Sequence, residues 1–382
     1  ADSVNSGAAA ATPAASASVA IVVDTTRRDM RRLYAGPGAA GAVPGHGVGM
    51  TVRMRAFAVL MSACAGGAGA PAPAQPAADE PVAPSAPAAA PALRVERTVV
   101  FDGMCDASGA VELDGAHFIV ADDEDNLLRV YDAERGGAAL AAIDVSVPLG
   151  LTPKGKRDPK MPELDLEAGT RIGDRAYWLT SHGRNSKGKL RPERLRFFAT
   201  TVPGLDLVGG LAVVGSSGQL LDALIADPRF EAFGLAAASE LAPKAEGGLN
   251  LEGMTAGPDG SLLLGFRNPV PEGRALLVRL DGPDDLLAGA ALRLGPPIRL
   301  DLGGLGVRAL SWWRERYLIV AGDRDAGRPS ALYTWDGVGA PIAVQVELGD
   351  LNPEGTFSPD DDPRVLLLSD DGTVPRDGVP CK

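Results

Sequence analysis

One arrangement of residues occurs five times between Cys105 and Gly372, and a chain that repeats an incomplete hairpin has to bury each copy against its neighbours. The copies are CDASGAVELDGAHFIVADDEDN from Cys105, LEAGTRIGDRAYWLTSHGRN from Leu166, LEGMTAGPDGSLLLGFRNP from Leu251, VRALSWWRERYLIVAGDRD from Val307 and PEGTFSPDDDPRVLLLSDDG from Pro353. Each opens on a polar anchor: Asp106, Glu167, Glu252, Arg308 or Glu354. A small residue usually follows, then a short strand, a turn and an apolar run (FIVA, YWLT, LLLG, YLIV, VLLL) that ends in polar residues. Further strand-like runs, LLRVYDA, LRFFATTV, ALLVRL and SALYTWDG, lie between the copies. Several strands per unit at a spacing of tens of residues are the mark of a β-propeller, whose blades bury their faces only against one another. The reading is an all-β chain with five blades, a degenerate sixth being left open.

Two details complete that fold. The longest gap holds LLDALIADPRFEAFGLAAASELAPK, whose apolar spacing predicts short helices near residues 219–242. The segment LRVERTVVF from Leu93 precedes the first anchor as IRLDLGG precedes Arg308, so it is expected to be the outer strand of the last blade, closing the ring. A β-sandwich is the competing fold; five matched hairpins with polar residues at fixed points argue against it.

The chain ahead of the repeats reads differently. Residues 1–49 are rich in Ala, Gly and Ser without a period and are set outside the mature protein. Residues 50–64, MTVRMRAFAVLMSAC, combine two arginines, a short apolar run and small residues before Cys64, the pattern of a secretory signal ending like a lipobox. Export, with lipidation of Cys64 as a membrane anchor in the periplasm or outer membrane, is the expectation, with ordinary signal cleavage near Ala63 as the alternative. Residues 65–92 are a Pro/Ala tether, extended at about 3.1 Å per residue, and residues 93–382 form the domain. In an oxidising compartment Cys105 and Cys381 are a possible pair, against two free thiols.

A net charge of −12 argues against nucleic acid as a partner. In a blade the inner strand starts, and the second strand ends, at the same face, so anchors and strand-ends should gather at one mouth of the channel. That places Asp106, Glu167, Glu252, Arg308 and Glu354 with Asp122, Asp123, His182, Arg184, Arg267, Asn268, Asp323, Asp325, Asp370 and Asp371. So many carboxylates at close range call for compensation, and Ca²⁺ or Mg²⁺ held by Glu167, Glu252, Glu354, Asp106 and Asp323 would supply it. The bland alternative is that the anchors accept backbone N–H bonds and pair with arginines. A basic run from Arg184 to Arg196 suggests either an anion-attracting lip or a solvated loop. Histidine chemistry would fall to His182. The four tryptophans are expected in the core.

The stretches GMCDASG, LEAG…YWLTSHGRNSKGKLRPERLRFFAT, LNLEGMTAGPDGSLLLGFRNP and LLLSDDG resemble an exported bacterial family known as a domain of unknown function, over nearly all of residues 100–373. More distantly, the E-G-hairpin pattern is similar to the "esterase-like activity of phytase" group. The resemblance implies a propeller with a shared polar site and, through phytases, carboxylate-bound calcium hydrolysing phosphate esters. Arg308 departs from that pattern. Two functions follow. One is an exported, monomeric propeller that binds a small anionic ligand or protein partner at the mouth. The other is a metal-dependent hydrolase of phosphate or carboxylate esters, with His182 as acid or base and Arg184 and Arg267 clamping the anion.

Overall fold

In the computed structural model the described residues are 16–24, 91–202, 210–325, 327–359, 362–372, 375–376 and 379–380. The signal-like segment, the tether as far as Ala90, Cys64 and Cys381 lie outside them.

Five sheets carry the fold, antiparallel except for a short parallel pairing of Phe101 and Asp102 with Gly137–Ala138. Blade 1 runs from its inner strand Ala107–Glu112 through His117–Asp122 and Leu127–Asp132 to Ala141–Asp144. Blade 2 follows as Leu166–Ile172, Arg175–Thr180, Phe197–Thr201 and Val213–Ser217. Blade 3 has Asn250–Ala256, Leu262–Asn268 and Ala275–Asp281, with Arg293–Leu294 and Ile298–Leu300 sharing the outer position. Blade 4 is Gly306–Trp313, Arg316–Gly322, Ala331–Trp335 and Ile342–Ala343. Blade 5 starts with Pro353–Phe357 and Arg364–Ser369. The inner strands touch in the cyclic order 1–2–3–4–5–1, which closes the ring and makes the fold a β-propeller.

The apolar runs explain why these sheets stack radially. Both faces of every second strand are buried, and successive residues face different neighbours. In blade 1 Phe118 and Val120 pack against blade 5, while Ile119 and Ala121 pack against blade 2. In blade 5 Val365 and Leu367 meet blade 4, and Leu366 and Leu368 meet blade 1. Five apolar clusters fill the five gaps between blades. The predicted helical insertion is present as helices Leu220–Ala226 and Leu235–Ala238 around a 3-10 turn Pro228–Phe233. Leu220, Leu224, Phe230 and Leu235 bury it in the gap between blades 2 and 3.

Blade 5 is composite. Leu93–Asp102 is its outer strand, as expected, but the third position is filled by Ser16–Asp24. This strand pairs with Arg364–Ser369 on one side and Leu93–Asp102 on the other. It belongs to the stretch that the sequence reading sets outside the mature protein. Processing within residues 50–64 would separate it from the blade.

Cys105 is disulfide-bonded, and its partner lies outside the described residues. Three tryptophans are core residues: Trp178, Trp313 and Trp335. Trp312 departs from expectation, being half-buried and lining a cavity.

Candidate functional site at the bulged mouth of the channel

Every inner strand carries the same irregularity near its start. The ladder slips between Ala107 and Ala110, Leu166 and Ala168, Leu251 and Gly253, Val307 and Ala309, and Pro353 and Gly355. A bulge leaves one residue unpaired and re-aims its side chain. The residues so placed are Glu167, Glu252, Arg308 and Glu354, and in blade 1 the slip falls on Ser108–Gly109. Asp106 is therefore not the equivalent of the other anchors. It sits two residues ahead of Ser108, as Asp165, Asn250, Gly306 and Asn352 sit two ahead of theirs. The repeat is better written as Asp/Asn-x-anchor-Gly/Ala, with Gly306 and Arg308 the outlying copy.

The small residue after each bulge is a packing requirement. A Cβ on Gly253 would lie 2.6 Å from Val307 Cγ1, and one on Gly355 would lie 2.2 Å from the Ser108 carbonyl oxygen. At these two glycines the neighbouring blade approaches too closely for a side chain, and blades 2 and 4 hold nothing larger than Ala168 and Ala309 there.

The anchors form a charged chain across three blades. Arg267 Nη1 donates to Glu252 Oε1 at 2.6 Å, and Asn250 Nδ2 donates to the same oxygen at 2.6 Å. Arg308 Nε lies 3.9 Å from Glu252 Oε2, its Nη2 pairs with Glu354, and its Nη1 donates to Asn352 Oδ1 at 2.6 Å. Arg267 Nε also donates to the Asp323 carbonyl at 3.0 Å. Burial lowers the Arg308 pKa to about 10, with Arg267 adding to the shift and Glu252 opposing it. For Arg267 burial works against the charge, yet the surrounding carboxylates, Glu252 first and then Glu167 and Asp370, together outweigh it and the pKa rises. These two guanidinium groups are held by carboxylates of the ring itself. In blade 1, Ser108 Oγ instead donates to the Leu166 carbonyl at 2.6 Å.

Glu167 is the exception. It is 8% exposed and makes no hydrogen bond or ion pair among the described residues. Its pKa is raised well above the carboxylate range, by burial first and then by the charges of Glu252, Asp165 and Asp123, with Arg267 only partly opposing. Among the described residues the ring thus holds one buried acid that no cation pairs with directly, Arg267 offsetting its charge only in part.

The other expected site residues are placed as follows. His182 is 1% exposed, and its Nδ1 donates to the Thr180 carbonyl at 2.8 Å, leaving Nε2 without a partner among the described residues. Burial lowers its pKa to about 4, so the ring is neutral at neutral pH and cannot serve there as an acid. Its φ of 54° is in the left-handed region, which costs a non-glycine residue about 1 kcal/mol or more. Arg184 is turned to the helical insertion, bonded to the Ser239 carbonyl at 2.8 Å and paired with Glu240. Asp323 holds Arg328 at 3.2 Å through its carboxylate. From the basic loop, Arg194 pairs with Glu163 and with Asp165 at 2.7 Å, so it stitches the loop to the start of blade 2.

This geometry corrects two expectations. Arg184 and Arg267 are engaged by carboxylates and carbonyls, which leaves no preformed clamp for an anion. Of the carboxylates expected to hold calcium as a ring, Glu252 and Glu354 are taken by arginines, Asp323 by Arg328, and Asp106 is displaced from the series. Ca²⁺ takes six to eight oxygens, and the ring offers Glu167 alone; the set does not fit that ion. A different trio, Asp106, Asp123 and Glu124, has carboxylate oxygens within 4.8 Å of one another. Asp165, Asn250, Asn352 and Ser108 escaped the sequence reading. The recurring Asn-x-Glu-Gly of NLEG and NPEG could have found two of them.

Residues 208–347 match a family described as a protein of unknown function (DUF3616). That stretch carries the bulges of Glu252 and Arg308. No curated protein matches. Among solved structures, the chain is similar to the glutaminyl cyclase of Myxococcus xanthus at 12% identity, covering 69% of this chain and 90% of that one, TM-score 0.35. It is also similar to a PQQ-bound aldose sugar dehydrogenase from Streptomyces coelicolor, at 14% identity, covering 67% and 72%, TM-score 0.33. A gluconolactonase from Xanthomonas campestris matches at 10% identity, covering 70% and 87%, TM-score 0.32. The chain is a β-propeller, similar over less than half its length to a family without an assigned function.

Proposed function

We propose that the protein is a binding propeller whose bulged mouth takes the cationic group, an ammonium or guanidinium, of a small ligand. The observation that carries this reading is Glu167: a buried carboxyl, with no hydrogen bond or ion pair among the described residues, beside three further carboxylates. A cation delivered there gains a charge-assisted hydrogen bond and relieves the repulsion that raises the pKa of the carboxyl. The paired arginines of the ring act as a frame that fixes Glu252 and Glu354. They do not contact the ligand. The reading also keeps export, with residues 50–64 as signal and 65–92 as tether.

A second reading is favoured by the Asp106, Asp123 and Glu124 trio: a divalent ion held there, with hydrolysis of a phosphate or carboxylate ester as in phytases. One experiment separates the two. Melting of the intact chain is followed with methylguanidinium, methylammonium, CaCl₂ or MgCl₂ added. Stabilisation by the organic cations, lost in Glu167→Gln, supports the binding site. Stabilisation by calcium alone, kept in Glu167→Gln and lost in Asp123→Asn, supports the metal reading and overturns the first.

A further inference from the structure

We propose that the opposite mouth of the channel is a separate ligand site, for a neutral saccharide. The inner strands end there in a cavity of about 750 Å³, to which all five blades contribute. That volume falls within the roughly 300–1,000 Å³ of small-molecule sites.

The lining is unlike the charged mouth. Three residues past the bulge, blades 2, 3 and 4 place a hydroxyl: Thr170, Thr255 and Ser311. Thr356 of blade 5 joins them. All four side chains are buried. Their hydrogen-bonding capacity is only partly used. Thr170 Oγ1 accepts from the Ala256 N–H at 2.9 Å, Ser311 and Thr356 are a weak 3.4 Å pair, and the Thr255 hydroxyl has no partner among the described residues. A hydroxyl both donates and accepts, so this group offers spare valences of both kinds.

The charges at the rim are already engaged. Arg171 donates from Nη1 to the Leu113 carbonyl at 2.6 Å and from Nε to the Gly173 carbonyl at 2.8 Å. Asp114 accepts from the backbone N–H groups of Ala116 and His117 and contacts the His117 ring. Glu112 also has a partner within the protein. A charged ligand therefore finds no counter-ion waiting, and an apolar one leaves the hydroxyls unpaired, which is unfavourable. A neutral polyol satisfies both conditions. Trp312 completes the match: it lines the cavity half-buried, braced edge-on by Tyr317 at a centroid distance of 4.9 Å and 73°. A braced indole is a platform for the C–H face of a pyranose.

The test titrates the intact chain with glucose, N-acetylglucosamine, maltose and cellobiose, by calorimetry and tryptophan fluorescence. At least one probe should bind one to one with a dissociation constant of about 1 mM or tighter. Trp312→Ala should weaken that binding about tenfold, and Trp312→Phe should restore part of it. Thr255→Val, nearly isosteric, should weaken it about three- to tenfold. Glu167→Gln should leave it unchanged, so failure at the charged mouth and failure here are distinguishable. Absence of binding by every probe, or binding that both cavity variants leave intact, would overturn the proposal.

Discussion

Glu167 and Arg308 occupy equivalent bulges in blades 2 and 4, and burial acts on both, yet only Arg308 has partners close enough to hold its charge. The pH dependence follows from the sign of each shift. Glu167 has a raised pKa, so its neutral form costs nothing below the ordinary carboxylate range, and its penalty grows as pH rises through the folded-state value. Glu167→Gln should therefore melt higher than the parent at neutral and alkaline pH, by about 1 kcal/mol or more, and equal it in acid. An unchanged difference across pH would show that folding does not raise the pKa of this carboxyl. His182 has the opposite sign for stability: its depressed pKa contributes stability above pH 6.5 that is lost as pH falls toward about 4. A neutral replacement, His182→Asn, should remove up to about 3 kcal/mol of that acid-induced loss, read from denaturant unfolding across that window. Sequence alone located most of the charged residues, because polar anchors at repeated positions stand out. It misplaced blade 1 because Asp106 is charged and in the right neighbourhood, while the bulge itself falls on Ser108 and Gly109 and has no charged signature.

At the scale of elements, the apolar runs were legible because a strand buried on both faces is continuous in hydrophobicity rather than alternating. What the runs do not say is which residue meets which neighbour. That division, odd residues to one blade and even to the other, comes from the pleat and is seen in Phe118 to Ala121. The bulge was invisible for a related reason: one extra residue in a ladder leaves the composition unchanged. The small residue after it was visible, and its role can be tested. Gly355→Ala places a Cβ against the Ser108 carbonyl, a backbone atom that cannot swing aside. A cost of about 1–3 kcal/mol is expected in chemical denaturation, as for overpacking. An effect within about 0.5 kcal/mol, the range of surface substitutions, would mean that blades 5 and 1 are less closely apposed than described.

For the whole molecule, stability rests on closing the ring, and blade 5 closes it with chain from before the domain. Ser16–Asp24 was not legible as a strand because its surroundings are Ala- and Gly-rich and aperiodic, although VAIVVD is itself a β-branched run. Removing residues 1–49 should expose the ladder edges of Arg364–Ser369 and Leu93–Asp102 and lower the melting temperature by several degrees, since about 1 kcal/mol corresponds to roughly 2–4 °C in a domain of this size. A truncated chain that melts like the parent would show that blade 5 is complete without that strand. If the channel mouth presents the unpaired Glu167 carboxyl to a cationic ligand, binding there displaces a proton. Calorimetry with methylguanidinium in buffers of different ionisation enthalpy counts the protons that leave on binding. The account predicts saturable one-to-one binding that releases a proton from Glu167, tightens as pH rises, and vanishes in Glu167→Gln. Binding without proton release, or binding that the variant retains, would contradict it.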